Sequence, residues 1–312
     1  MISFMGIEIL LAVYNGEPYL GDLLKSIEAQ TRRDWRLVAR DDGSTDGSRR
    51  VIESFAARDA RFRLLEDGAE RLGIEGNFAR LLSRSTADYV MFCDHDDVWR
   101  PAKIEKTLAL LQGLERTHGK ARPLLAHTDL EVVDAGLNPL GASFWKYSRL
   151  DPERGASFNR LLMQNVVTGC AAMINGALRE LVGAIPPEAV MHDWWLALAA
   201  SAFGAIGFLQ EPTILYRQHG ANDVGARALG VESAAKIALD PGYVRRRLDL
   251  AYRQARKFNE IHGSRLPRER REVLEAFCGL NAMGPFQRRR TILRHGFLKT
   301  GFLKNLGLLA YA

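Results

Sequence analysis

The chain has 312 residues, 47% apolar and 26% charged, enough for one large core with an appendage and too apolar for a disordered or collagen-like chain. Cys93, Cys170 and Cys278 lie far apart, cannot all pair and lack zinc-type spacing, which excludes a disulfide-stapled miniprotein and is expected of a reducing compartment. The formal charge of +6 hides an asymmetry: residues 241–312 hold 16 Lys/Arg and 5 Asp/Glu, residues 1–240 hold 27 and 32, so a nucleic-acid partner is not expected and only the tail suits an anionic surface.

Strand and helix patterns alternate from the start. Glu8–Val13 reads as an apolar strand, Tyr19–Ala29 as a helix with Leu20, Leu24 and Ile27 on one side, and Trp35–Ala39 as a second strand. A helix over Thr45–Ala57, a strand over Phe62–Leu65, a helix over Gly76–Leu82 and a strand over Tyr89–Phe92 follow, and Pro101 opens a helix carrying Ile104, Leu108 and Leu111. Strands joined through helices need crossovers, so an α/β fold with a mostly parallel central sheet and helices on both faces is predicted. Further on, Leu124–Ala126 reads as a short strand, 136–155 as a surface loop, 157–165 and 176–183 as helices, Trp194–Phe203 as a helix and Gly207–Gln210 as a strand. Helices are predicted over 231–239, 243–260, 267–280 and 286–307. No secretion signal is read at the N-terminus, and the longest nearly apolar run, Leu196–Leu209, is too short for a bilayer span.

In such sheets ligands bind beyond the carboxyl ends of the strands. That rim is predicted to be acidic: Asn15 follows the first strand, Asp41 and Asp42 the second, Glu66 and Asp67 the third, and Asp94, Asp96 and Asp97 the fourth. Three carboxylates within four residues repel one another unless solvent or a cation compensates, so Asp94 and Asp96 are candidate ligands of Mg²⁺ or Mn²⁺. The bland alternative is a solvated turn in which Asp97 caps the next helix. Likewise Asp41–Ser44 reads as a turn with Gly43 in an unusual conformation, and Asp193 as a helix N-cap.

The runs Ile9–Gly16, Asp41–Asp46 and Asp94–Asp97, in this order, resemble the nucleotide-sugar half of the inverting GT-A glycosyltransferases of family 2. Trp99, the run His192–Trp195 and the run Tyr216–Gly220 make the resemblance strongest to bacterial rhamnosyltransferase-like members, over residues 7 to about 225. It implies a GT-A catalytic domain over 1–230, with a nucleotide-binding half to about 125 and an acceptor half from 126, and a basic helical extension over 231–312. It places Ala12, Tyr14 and Glu17 at the nucleotide, Asp41 or Asp42 at the base N3 proton, Asp94 at the ribose or metal-bound water, and Asp96 on the cation. His95 departs mildly from the family pattern. Gly169 would lie by the donor sugar, Arg217 and His219 by the diphosphate or metal, and Asp193 would be the catalytic base. The implied reaction is a metal-dependent, inverting transfer of L-rhamnose from dTDP-β-L-rhamnose to a cell-surface polysaccharide or lipid-linked acceptor. The alternatives are a UDP-hexose or UDP-N-acetylhexosamine donor, and a degenerate sugar-binding or scaffold protein.

A dinucleotide oxidoreductase is disfavoured because the turn after the first strand, Tyr14–Pro18, is not Gly-x-Gly-x-x-Gly. The expected setting is cytoplasmic. Two readings of the tail stand side by side: peripheral attachment to the inner face of a bacterial membrane, or packing on the catalytic body or in a homodimer.

Overall fold

The computed structural model describes residues 6–68, 70–220 and 240–311; the predicted helix over 231–239 and the predicted boundary at 230 lie outside them. The first half follows the alternation: β1 (Ile7–Val13), α1 (Glu17–Glu28), β2 (Trp35–Asp41), α2 (Ser48–Arg58), β3 (Phe62–Leu64), α3 (Gly73–Arg84), β4 (Tyr89–Asp94), a two-residue β5 (Val98–Trp99) and α4 (Lys103–His118). Pro101 sits in the turn before α4. The second half contains β6 (Leu124–Asp134), β7 (Pro139–Gly141), three one-turn helices α5 (Phe144–Tyr147), α6 (Pro152–Gly155) and α7 (Phe158–Leu161), then β8 (Ala172–Asn175), α8 (Gly176–Val182), α9 (His192–Phe203) and β9 (Ala205–Gln218). The tail is helical: α10 (Pro241–His262), α11 (Arg268–Cys278), α12 (Pro285–His295) and α13 (Phe302–Tyr311).

All nine strands form one sheet in the order β3-β2-β1-β4-β8-β6-β9-β5, with β7 beside β6. The pairings among β3, β2, β1 and β4 are parallel, as crossovers through α1, α2 and α3 require. Beyond them β8 enters antiparallel to both β4 and β6, so the parallel expectation holds for the first half and gives way to a mixed sheet in the second. The two faces bury separate cores. Along β1, Ile7, Ile9, Leu11 and Val13 join Leu20, Ile52 and Ile104 on one face, while Leu10 and Ala12 join Phe78, Trp194 and Phe258 on the other, the period of two that an inner strand requires.

Three sequence expectations change. The strands β6 and β9 are far longer than predicted, because their polar residues find partners inside the sheet: Thr128 and Thr213 hydroxyls bond at 2.6 Å, and Asp129 accepts from Leu130 N and Trp145 N. The loop over 136–155 is packed, with Trp145 buried edge-on against His127 at 5.4 Å. The single helix over 286–307 is two helices, because Gly296 takes the left-handed conformation (φ 66°) that ends α12.

Candidate active site

The order reverses between β1 and β4, and a crevice at such a switch point opens at the strand ends. Register brings three candidates to this rim: Ala12 lies beside Asp94, and Val13 beside Asp41. The loops after β1 and β2 are laced together. Asn15, at φ 48°, accepts from Thr45 N at 2.9 Å and donates its own N–H to Ser44 Oγ at 2.9 Å; Gly16 N donates to Ser48 Oγ at 2.8 Å. Glu17 accepts from Gly47 N at 2.7 Å, so its carboxylate serves the start of α2 and not an open pocket. Tyr14 stays partly exposed, with the Arg71 guanidinium 4.1 Å above its ring.

Asp41 and Asp42 part company. Asp42 is buried and its oxygens accept from Arg40 Nη1 at 2.7 Å and from Leu72 N and Gly73 N at 2.8 Å each, so it anchors the start of α3. Asp41 accepts from Ser44 and lines a cavity of about 190 Å³ with Gly43, Arg49, Leu65, Glu66 and Gly68. The residue missed in the sequence is Arg40. Buried at the end of β2, it also bonds Asp67 at 2.9 Å and the Glu70 carbonyl at 2.8 Å, pinning the loop that walls this cavity. An arginine directly before the Asp41–Asp42 pair at the end of a strand was the available signal.

After β4 the acidic turn is divided by burial. Asp94 and His95 are partly exposed, and His95 packs on Gly16, where an added Cβ would come within 2.4 Å of the imidazole. Asp96 meets His219 Nε2 at 3.0 Å, and His219 stacks on Tyr19 at 4.6 Å. Arg217, buried in β9, donates to the Asp96 carbonyl at 2.8 Å, the Ala135 carbonyl at 2.6 Å and Asp22 at 3.1 Å, so it braces the turn. Asp97 is fully buried and does not cap α4; burial and the charges of Asp96 and Asp94 hold its carboxyl well above the usual range. Ligand atoms of Asp94, Asp97 and Cys170 lie within 4.8 Å of one another, a grouping different from the expected Asp94, Asp96 and His219. Burial, with Asp97 and Asp94 close by, pushes the Cys170 thiol up, which makes it a poor ligand for a hard cation.

Cys170 leads to the last candidate. It follows Gly169 in a 3-10 turn over Gly169–Ala171, and Gly169 N donates to Asp193 Oδ2 at 2.9 Å while Asn165 Nδ2 donates to Oδ1 at 3.0 Å. Asp193 sits in the first turn of α9, whose N-cap is Met191, so the capping role is not the one it plays. Burial pushes its carboxyl up to about 7 despite these donors. His192 lies beside Phe78 at 4.0 Å and Phe92 at 4.9 Å, with its Nε2 against Gly169, and burial drives it down to about 3. Trp194 donates to the Leu161 carbonyl at 2.6 Å and Trp195 packs on Phe258 at 5.2 Å, so both are core residues. Asn222 lies outside the described residues.

Residues 8–121 match the model of glycosyl transferase family 2. The chain is 27% identical over 240 residues to the uncharacterized glycosyltransferase alr2836 of a Nostoc species, covering 74% of this chain and 71% of that one. It is 26% identical to the uncharacterized protein Rv1520 of Mycobacterium tuberculosis over 66% of this chain and 57% of that one, so it spans little more than half of that relative. The dTDP-rhamnosyl transferase RfbG of Shigella flexneri is 26% identical over 69% of this chain and 74% of its own. Among solved structures, S. aureus TarS in complex with UDP-GlcNAc superposes with a TM-score of 0.56 at 14% identity over 93% of this chain and 83% of that chain. The mannosyltransferase PcManGT of Pyrobaculum calidifontis with GDP-Man and Mn²⁺ gives 0.52 at 18% identity over 97% and 78%.

Proposed function

We propose that this chain, a GT-A glycosyltransferase with its family 2 match over residues 8–121, transfers a hexosyl or N-acetylhexosaminyl group from a UDP-sugar to a saccharide acceptor with inversion. The carrying observation is the Gly169–Cys170 step. One residue holds the Asp193 carboxylate and the next lies within 4.8 Å of the acidic cluster, so base and leaving-group side are joined by one turn of chain. Asp193, with a carboxyl pushed up to about 7, is poised to take the proton of an acceptor hydroxyl as its oxygen attacks the anomeric carbon. Gly169 N and Asn165 aim that carboxylate. Asp41 accepts the N3 proton of a pyrimidine in the cavity walled by the Arg40-pinned loop.

At the turn the Asp96 carboxylate lies with the His219 imidazole at 3.0 Å and the Asp94 carboxylate with that of Asp97, and these oxygen and nitrogen donors would suit a hard divalent cation better than a soft one. Asp96, with Asp94 beside it in the same turn, would hold Mg²⁺ or Mn²⁺, which would supply positive charge to the departing diphosphate. The UDP assignment draws on TarS, a fold neighbour solved with UDP-GlcNAc; a dTDP-β-L-rhamnose donor is the second reading, favoured by the likeness to RfbG. The test is a donor panel of UDP-glucose, UDP-galactose, UDP-N-acetylglucosamine and dTDP-β-L-rhamnose, read by thermal shift and by release of nucleoside diphosphate with added Mn²⁺. Turnover of a UDP-sugar is expected. Turnover of dTDP-rhamnose alone would replace the first reading by the second.

A further inference from the structure

The basic tail divides in two once its burial is known. Ile292, Phe297 and Leu308 are fully buried against the catalytic body, and Arg288 is spent on the Leu280 and Met283 carbonyls. Lys299 and Lys304 are partly buried. What remains outward is a mixed apolar and cationic face. Of the six large exposed hydrophobic residues among those described, four stand here: Phe286 (81% exposed), Leu293, Phe302 (76%) and Leu306. Phe286 and Leu293 are two turns apart on α12, with exposed Arg290 between them and exposed Arg294 adjoining; Phe302 and Leu306 are one turn apart on α13. Arg289 Nε donates to the Leu309 carbonyl at 2.8 Å, which links the start of α12 to the end of α13.

We infer that the exposed sides of α12 and α13 dock on an anionic lipid bilayer, with the four apolar side chains entering the headgroup boundary and Arg290 and Arg294 meeting lipid phosphates. Charge selects this occupant. The last acidic side chain is Glu275, so no side chain from 276 to 312 offers a carboxylate, and the same patch of a second copy would set arginine against arginine. A soluble polyanion would match the arginines and leave Phe286 and Phe302 in water. An anionic membrane surface satisfies both halves, since basic residues near it gain attraction while apolar residues gain burial. No helix among the described residues is long and apolar enough to cross a membrane, so the contact is interfacial. It goes beyond the proposed transfer reaction and stands whichever donor is used.

The test is co-sedimentation of the full chain with phosphatidylcholine vesicles, with and without about one third phosphatidylglycerol, at low and high salt. Binding to the anionic vesicles that weakens with salt is expected, with a roughly tenfold or greater loss in Phe286→Ser/Phe302→Ser and in Arg290→Gln/Arg294→Gln. All these side chains are exposed, so melting temperature and donor hydrolysis should match the parent. As a second readout, an environment-sensitive dye on Leu306→Cys in a Cys278→Ser background should shift to the blue with anionic vesicles only. Equal binding to neutral and anionic vesicles, or unchanged binding by both double variants, would overturn the inference. So would absence of vesicle binding together with a self-associated chain that Phe286→Ser/Phe302→Ser dissociates, which would make the face a protomer interface.

Discussion

Adjacent residues at this rim have opposite duties, and burial decides which. As the proposed base, Asp193 would have to be ionised to accept a proton, and burial pushes it up to about 7, so turnover should fall about tenfold per pH unit well below neutrality and level off above it, in a pH–rate profile. Because this folded value lies above the ordinary 3.8, the same group withdraws stability as pH rises from about 4 to 7. Asp193→Asn should therefore retain donor affinity, lose turnover by roughly 10²-fold or more, and gain stability relative to the parent at pH 8 compared with pH 4. Asp42 is the contrasting case. Asp42→Ala takes one of the two carboxylates from buried Arg40, leaving it Asp67, and deprives Leu72 N and Gly73 N of their acceptor, so it should cost about 1–3 kcal/mol in urea unfolding, with weaker donor binding as the loop over 66–73 loosens. Treatment with EDTA, or Asp96→Asn, should abolish transfer while leaving the melting temperature within a few degrees; normal transfer by metal-free protein would remove the cation from the reaction.

Between elements, the turn at Gly169–Ala171 couples α9 to the strand ends. A Cβ on Gly169 would lie 2.5 Å from His192 Nε2 and 3.5 Å from the Asp193 Cβ. His192 is wedged between two phenylalanines, so the turn must move instead and carry Gly169 N off the carboxylate. Gly169→Ala should cost about 1–3 kcal/mol in stability, yet lower kcat far more than KM; measuring both on folded protein separates displacement of the base from general loosening. The elements also show where sequence patterns reach their limit. The alternation through α4 was legible because each strand and helix there carries its own apolar period. The long β6 and β9 were not, because His127, Thr128, Asp129 and Glu211 break the apolar run, and only their cross-strand partners make those positions strand-compatible.

Across the whole molecule, the tail belongs to the same core as the site. Val244, Leu248, Ala251, Ala255 and Phe258 on α10 recur at helical spacing and join the cluster that holds Trp194 and Trp195. Arg270 bonds the Ser201 carbonyl at 2.5 Å, and Gln254 accepts from Val190 N at 2.9 Å. The helix bearing Asp193 is thus backed by the extension. Phe258→Ala should cost about 3–5 kcal/mol in urea and lower turnover beyond what the donor KM shows, since it removes the ring against which Trp195 rests.

By itself the sequence determined the parallel half of the sheet and the acidic rim at its strand ends, because hydrophobic period and turn chemistry are local properties. It also brought Asp94, Asp96, Asp193 and His219 forward as candidates, through short runs whose order carries the resemblance. Only the tertiary structure decided which of two neighbouring aspartates is spent on Arg40, that Glu17 and Arg217 brace loops, and which half of the tail packs and which half stays outside. Apart from the Arg40–Asp42 bond itself, those outcomes depend on partners tens to more than a hundred residues away, and the burial and hydrogen bonding that such partners impose leave no trace in a local pattern.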